Sequence, residues 1–208
     1  MTTPAAVIHV VDDDEAVRDS LRFLLDAAGL AVRTHASAEA LLSAEPTVPG
    51  CVLTDVRMPG MDGLELLRRL RAAAITVPVL VMTGHADVPM ALRALKAGAL
   101  DFLEKPFSDD ALVAAVRAAL DESRRAAGAR AQTEKASARI AGLTPREREV
   151  FDLLVEGLPT KAIAKALGAS PRTIEVHRAR VMEKLGARSL PELVRLALAS
   201  RGEPRLGE

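Results

Sequence analysis

The chain has 208 residues, of which 49% are hydrophobic but only 2% aromatic, so it can build one large aliphatic core or two smaller ones. It contains no apolar stretch long enough to span a bilayer, no signal-peptide pattern, and one cysteine, Cys51, which has no partner for an internal disulfide. We therefore expect a cytoplasmic protein without a membrane partner, in which Cys51 packs inside a core.

The net charge of zero conceals an uneven distribution along the chain. Residues 1–122 contain 11 Lys and Arg against 18 Asp and Glu, residues 123–141 contain 5 against 1, and residues 142–208 contain 12 against 9. An acidic front part and a basic rear part suggest two functions, of which the second would involve a polyanion.

Strand and helix signals alternate in residues 1–122, which predicts an α/β domain with a doubly wound, five-stranded parallel sheet of the flavodoxin-like type. Short apolar runs bounded by turn residues predict strands at 8–11, 31–34, 50–54, 77–82 and 100–103. A residue that can cap a helix follows each strand, and these residues are Asp14, Ser37, Asp62, Asp87 and Ser108.

The rest of the chain lacks strand signals. Residues 123–141 are rich in Ala, Arg, Gln, Glu and Lys, which predicts a helical or semi-flexible linker. In residues 142–208 helix caps recur at regular intervals, at Thr144, Thr160, Ser170 and Ser189. Helix, turn and helix at 160–186 have the length of a helix-turn-helix, so we predict an all-α DNA-binding domain at 142–208.

Polar residues lie where the predicted strands of the first domain end, namely Asp12, Asp13, Asp55, Thr83 and Lys105. The carboxyl ends of parallel strands meet at one edge of a sheet, and carboxylates that converge there repel one another unless a cation lies among them. Oxygen ligands without nearby Cys or His favour Mg²⁺. Any one of these residues taken singly is best explained as a solvated loop residue, but their roles are complementary. We predict that Asp55 accepts a phosphoryl group, whose oxygens interact with Thr83 and Lys105.

The segments VVDDDE, TDVRMPGMDG, VMTGHADV and FLEKPF resemble the receiver domain of bacterial response regulators, across residues 5–122. The resemblance implies that Asp13, Asp55 and the backbone carbonyl of Arg57 bind Mg²⁺ directly and that Asp12 acts through water. It also implies that Asp55 attacks the phosphohistidine of a sensor histidine kinase and that the bond between Lys105 and Pro106 is cis.

Phosphorylation would draw Thr83 inward and shift the surface formed by residues 86–104. Phe102 matches the switch-aromatic position of the family, although it would serve equally well as core. A homodimer favoured by phosphorylation would use a face of this surface that comprises Val88, Leu92, Lys96 and Asp101. An ordinary packed helix face is the alternative interpretation.

Helical spacing from Ile174 places Val181 and Leu185 on the inward face, with His177 beside them. We therefore expect His177 to be packed and hydrogen-bonded rather than a ligand. Seven residues are predicted to contact DNA, and these are Lys161, Arg172, Thr173, Glu175, Val176, Ala179 and Arg180.

Three basic residues of this set suit phosphates, namely Lys161, Arg172 and Arg180. Glu175 suits the amino group of cytosine, and Val176 and Ala179 suit thymine methyl groups. The alternative is a solvated charged face without a partner. The small excess of basic over acidic residues in 142–208 is only weak evidence against it.

The stretch from LTPREREV to VMEKLGARS is similar to the LuxR-type four-helix DNA-binding domain along its whole length. Together with SPRTIEVHRARVMEKL, the receiver motifs resemble the FixJ subfamily, transcription activators of nitrogen-fixation and microaerobic genes that pair with the oxygen-sensing kinase FixL. This resemblance implies promoter DNA and RNA polymerase as partners. Arg180 departs from the subfamily at a groove-facing position, which leaves the choice of promoter open.

The sequence thus predicts a regulator that is not an enzyme. A similar regulator of other genes is the first alternative. A Mg²⁺-dependent phosphohydrolase with Asp55 as nucleophile is the second, but haloacid-dehalogenase-like enzymes need a second Asp where this chain has Arg57. The third is an interaction module without phosphoryl chemistry.

Overall fold

The computed structural model describes residues 6–44, 50–84 and 88–202, apart from the side chains of residues 88 and 89. The chain divides into two compact units, Met1–Ala127 and Gly128–Glu208, which we call the N-terminal unit and the C-terminal unit. The predicted domain limits at residues 122 and 142 stay a prediction.

In the described part of the N-terminal unit, parallel strands form one sheet in the order β2-β1-β3-β4-β5, as the doubly wound prediction requires. The strands are β1 (Val7–Val11), β2 (Ala31–His35), β3 (Gly50–Asp55), β4 (Val79–Thr83) and β5 (Asp101–Glu104). The helices are α1 (Glu15–Ala27), α2 (Ala38–Ser43), α3 (Gly63–Ala72), α4 (Val88–Lys96) and α5 (Asp109–Ala141), and the residues of α5 fall in both units.

In this unit, four of the residues predicted to cap helices make the capping hydrogen bond. Asp14 accepts a hydrogen bond from the backbone N–H of Ala16 at 2.8 Å, and Ser37 and Ser108 cap α2 and α5 in the same way. Asp62 accepts from the backbone N–H of Glu65 at 2.6 Å. The predicted cap at Asp87 lies outside the described residues.

Buried side chains cover both faces of the sheet because neighbouring strand residues point to opposite sides. On β3, Val52 packs into one core, whereas Cys51 and Leu53 pack into the other. Cys51 is fully buried in this second core, which confirms its predicted packing role. The same burial raises the pKa of its thiol to about 12.

The C-terminal unit is helical, with α6 (Pro145–Val155), α7 (Thr160–Ala166), α8 (Pro171–Leu185) and α9 (Leu190–Ser200) after the end of α5. Its core draws on every one of these helices, through Ile140, Phe151, Ile163, Ile174, Val181, Leu185 and Leu193 among others. The predicted linker is helical. Its residue Ile140 is only 4% exposed because it packs into this core.

The capping box of Thr144 and Glu147 is confirmed, as are the caps at Ser170 and Ser189. The predicted cap at Thr160 is wrong. Pro159 has the extended backbone of an N-cap residue, so Thr160 is already the first residue of α7 and its hydroxyl makes no capping hydrogen bond.

Candidate functional site

Four of the five predicted strand-end residues come together at the carboxyl edge of the sheet. Asp55 and Thr83 are the last residues of β3 and β4, and Asp12 and Lys105 follow β1 and β5 directly. Asp12, Asp55 and Thr83 are 3%, 9% and 4% exposed, so this edge of the sheet buries its polar side chains. Asp13 lies beside Asp12 but is exposed.

Lys105 joins the two buried carboxylates. Its Nζ donates to Oδ1 of Asp55 at 2.6 Å and to Oδ2 of Asp12 at 3.0 Å, and its backbone N–H donates to the carbonyl oxygen of Thr83 at 2.7 Å. Burial alone would lower the pKa of Lys105, but the hydrogen bonds with Asp55 and Asp12 outweigh burial and the pKa is raised. Lys105 therefore carries a firmly held positive charge between two acids.

Two hydrogen bonds and the close approach of a glycine surround Asp55. Its Oδ2 accepts from the backbone N–H of Arg57 at 2.6 Å, and its carbonyl oxygen accepts from the hydroxyl of Thr54 at 3.1 Å. Gly63 lies so close that a Cβ atom added there would overlap with the same carbonyl oxygen. The sequence marks Gly63 only as a turn residue.

Arg18 supports the acidic loop after β1. Its Nη1 donates to the carbonyl oxygens of Asp12 at 2.8 Å and Asp13 at 2.9 Å, and the backbone N–H of Asp14 donates to Oδ1 of Asp12 at 3.0 Å. Sequence reasoning missed Arg18. The only signal was a basic side chain in the second turn of a helix that begins next to the site.

Among the described residues, no group of three or more His, Cys, Asp or Glu side chains is arranged to hold a metal ion. Two of the three predicted acids do converge, because Asp12 and Asp55 both lie within 3.0 Å of the Lys105 ammonium. Two carboxylates against one ammonium leave an excess of negative charge at a buried edge. The donor set consists of hard oxygen atoms, which fits Mg²⁺.

The second candidate site is the exposed side of α8. Ile174, Val181 and Leu185 are buried as predicted. All the residues of the predicted DNA-contacting set on α8 are exposed, and these are Arg172, Thr173, Glu175, Val176, Ala179 and Arg180. Lys161 on α7 is also exposed, and the hydroxyl of Thr160 donates to Oε1 of Glu175 at 2.6 Å.

Comparison with known protein families divides the chain into the same two domains that the sequence predicts. Residues 8–117 match the family described as response regulator receiver domain, and residues 141–197 match bacterial regulatory proteins of the luxR family. The chain belongs to the response regulators. The resemblances to the receiver domain and to the LuxR-type DNA-binding domain are thereby confirmed.

Relatives of this response regulator match over nearly their whole length. Transcriptional regulatory protein FixJ of Azorhizobium caulinodans is 56% identical over 95% of this chain and 94% of that protein. The C4-dicarboxylate transport transcriptional regulatory protein DctR of Rhodobacter capsulatus is 48% identical over 91% of this chain and 98% of that protein. The solved structure of the response regulator StyR is 41% identical, covers 93% of this chain and 98% of that one, and superposes with a TM-score of 0.83.

The response regulator therefore combines a receiver domain with a LuxR-type DNA-binding domain, and its relatives regulate transcription. Receiver domains generally bind Mg²⁺ at their phosphorylation site, and the family acts with sensor histidine kinases and promoter DNA. No helix within the described ranges is long and apolar enough to cross a membrane.

The predicted dimer face of the response regulator includes one exposed leucine, Leu92, and two further exposed leucines lie close to it in the sequence. Leu92, Leu95 and Leu100 are 50%, 43% and 41% exposed, and we call these three residues the apolar patch. Lys96 and Asp101 are exposed as well, whereas the side chain of Val88 lies outside the described residues. Phe102 is half-buried against the core, so both interpretations of it stay open.

One expectation for the DNA-binding domain is wrong. His177 is half-buried, but its Nδ1 is buried and meets no hydrogen-bond partner among the described residues. The predicted hydrogen bond of His177 is therefore wrong for Nδ1, whereas the burial of this atom agrees with the predicted packing.

Proposed function

We propose that a sensor histidine kinase phosphorylates Asp55 and that the phosphorylated regulator dimerises and binds promoter DNA. The observation that carries this proposal is the double contact of Lys105 with Asp55 and Asp12. It supports the proposal because two carboxylates and one positive charge lie together at the carboxyl edge of the sheet, where Asp55 would act as the nucleophile.

In the proposed reaction, a carboxylate oxygen of Asp55 attacks the phosphorus atom of a phosphohistidine. An O–P bond forms, the N–P bond breaks, and the imidazole leaves with the electron pair. Lys105 stabilises the negative charge on the phosphoryl oxygens, and the hydroxyl of Thr83 donates to one of them. Asp12, Asp13, Asp55 and the carbonyl oxygen of Arg57 would hold Mg²⁺, which when bound supplies charge neutralisation.

The phosphoryl group would then alter the contacts around it, since it adds negative charge and three acceptor oxygens. Lys105 and Thr83 are linked through the backbone hydrogen bond between them, so they move together. Lys105 follows β5, which also carries Phe102. In the apolar patch, Leu92 and Leu95 lie on α4 and Leu100 directly precedes β5. We infer that the apolar patch, with Val88, Lys96 and Asp101, is the face of the phosphorylated homodimer.

The exposed side of α8 is the proposed reading surface for DNA. Lys161, Arg172 and Arg180 would contact phosphates, and Thr173 would add a hydroxyl at the start of the helix. Glu175 would accept from cytosine, and Val176 and Ala179 would touch thymine methyl groups in the major groove.

For the genes under control, we infer activation of nitrogen-fixation or microaerobic genes through RNA polymerase, with a FixL-like kinase. The support is the 56% identity to a protein named FixJ. The relative named for C4-dicarboxylate transport, at 48% identity, supports a different set of genes as the second candidate. Footprints on genomic fragments, with and without a phosphodonor, distinguish the two.

Acetyl phosphate with Mg²⁺ tests the central step. Mass spectrometry of the treated protein is expected to find one labile phosphoryl adduct, absent in Asp55→Asn, and sedimentation is expected to find a dimer only when the adduct is present. Release of many equivalents of phosphate would indicate a phosphohydrolase instead. An unchanged protein would indicate an interaction module.

A further inference from the structure

A single side-chain hydrogen bond joins the two helices of the helix-turn-helix on their exposed side. Thr160 begins α7, and its Oγ1 donates to Oε1 of Glu175 on α8 at 2.6 Å. This distance lies in the range of hydrogen bonds from a hydroxyl to an ionised carboxylate, which are stronger than neutral ones. The contact spans 15 residues of sequence, so it exists only because the two helices are folded against each other.

The hydroxyl of Thr160 is not used to begin its own helix. The N-cap of α7 is Pro159, and that helix has no capping hydrogen bond from a side chain. The start of α8 is capped separately, by Ser170, which accepts from the backbone N–H of Thr173 at 3.1 Å. The bond to Glu175 is therefore not part of either helix start.

A glutamate on a DNA-reading surface must be held in one orientation. Its carboxylate is repelled by the phosphates and is useful only where it meets a donor on a base edge, such as the amino group of cytosine. Glu175 is exposed, so little packing restrains its side chain. Thr160 engages Oε1 and leaves Oε2 to accept from a base.

We propose that Thr160 is a positioning residue that fixes the carboxylate of Glu175 and thereby sets the base preference at one position of the operator. This inference rests on the proposed function, in which Glu175 reads a base. It adds that a residue outside the recognition helix determines how selective that reading is.

The size of the effect follows from the cost of immobilising a side chain on binding. A glutamate that is ordered before DNA arrives avoids this cost, so loss of the Thr160 hydroxyl is expected to lower the preference for cytosine by roughly three- to tenfold. Affinity for a duplex with another base at that position should change little, because Glu175 makes no base contact there.

The test selects binding sites from randomised duplexes with the full-length protein, treated with Mg²⁺ and acetyl phosphate. Thr160→Val removes the hydroxyl but keeps the branched shape and a similar helix propensity, and Thr160→Ser keeps the hydroxyl. Wild type and Thr160→Ser are expected to share a cytosine preference that Thr160→Val weakens. Glu175→Ala is expected to abolish it, and Thr160→Val is expected to have no further effect in the Glu175→Ala background.

Each contrary result has a distinct meaning. If Thr160→Val selects the wild-type operator with undiminished preference while Glu175→Ala does not, the positioning role is wrong and base reading by Glu175 stands. If Glu175→Ala also selects like wild type, or wild type selects nothing, both proposals are wrong. Melting followed by circular dichroism checks that Thr160→Val folds, and Thr160→Ala is the second variant lacking the hydroxyl.

Discussion

Two lysines of this regulator make nearly the same contact in different units. Lys105 lies within 3.0 Å of the carboxylates of Asp12 and Asp55, whereas Lys184 donates to Oε2 of Glu147 alone, at 2.7 Å. Glu147 is also satisfied by the backbone N–H of Thr144 at 2.8 Å. One lysine against two acids leaves negative charge to be neutralised, while one lysine against one acid leaves none. A lysine–carboxylate hydrogen bond therefore leaves an excess of negative charge in the receiver, whereas in the DNA-binding domain it is balanced and joins α8 to α6.

Substituting the two lysines gives the largest contrast. Lys105→Met is expected to slow phosphoryl transfer from acetyl phosphate by about 100-fold, because a fixed positive charge next to the phosphoryl oxygens is lost. Lys184→Met is the matched control, and it should leave the rate unchanged while lowering the melting temperature. Mass spectrometry of the adduct over time measures the rate. An equal rate in Lys105→Met would remove Lys105 from the proposed mechanism.

The two units should also respond to acid in different pH ranges. Burial, with smaller contributions from His35 and Arg33, lowers the pKa of His9 from 6.5 to about 4, so the unfolded chain binds a proton more readily than the folded one. The receiver should therefore lose stability as the pH falls from 6.5 to about 4. Each pKa unit corresponds to about 1.4 kcal/mol, and solvent screening reduces the full value, so the expected loss is on the order of 1–2 kcal/mol.

In the DNA-binding domain the group expected to respond to acid is a carboxylate, Glu147. The hydrogen bond from Lys184, followed by that from the Thr144 backbone, lowers the pKa of Glu147 from 4.5 to about 2. Its contribution to stability is present above pH 4.5 and is lost as the pH falls toward about 2. Hydrogen exchange along the full-length chain can resolve the two ranges. If His9→Val loses stability between pH 6.5 and 4 as wild type does, the assignment to His9 is wrong.

Two glycines extend the comparison to the backbone. Gly63→Ala is expected to lower the free energy of unfolding by roughly 1–3 kcal/mol, because its Cβ would overlap with the carbonyl oxygen of Asp55 and force the chain apart. Gly128→Ala lies inside α5, where the added Cβ meets no described atom within 4 Å beyond its own stretch of helix. It should instead stabilise the helix by about 0.5–1 kcal/mol. Urea denaturation measures both. If Gly63→Ala changed the free energy of unfolding as Gly128→Ala does, the backbone at Asp55 would have to move aside without an energetic cost.

The difference between local patterns and contacts across the fold explains which features the sequence could predict. The strands and most caps follow from local patterns, and the parallel sheet follows from the alternation of strands and helices. That Asp12, Asp55 and Lys105 meet follows from the rule that parallel strands end at one edge. Arg18 was missed because it donates to two backbone carbonyl oxygens, and every residue has such an oxygen, so the sequence does not indicate which ones accept. The hydroxyl of Thr160 was assigned to a cap from its local sequence. Its hydrogen-bond partner, Glu175, lies on another helix, and no local pattern indicates that contact. Local signals predict elements, and contacts between elements need the folded chain.

The smallest expected effect separates phosphate contacts from base contacts on the DNA-binding surface. Lys161→Gln removes one exposed charge at the start of α7, so binding to every duplex should weaken roughly threefold and the salt dependence of log affinity should become shallower by about 1. Lys165→Gln, an exposed lysine in the last turn of the same helix, is the matched control and should change neither quantity. Fluorescence anisotropy across a series of salt concentrations measures both. A change in base preference in Lys161→Gln would show that this lysine reads sequence, because a contact confined to phosphates weakens all duplexes alike.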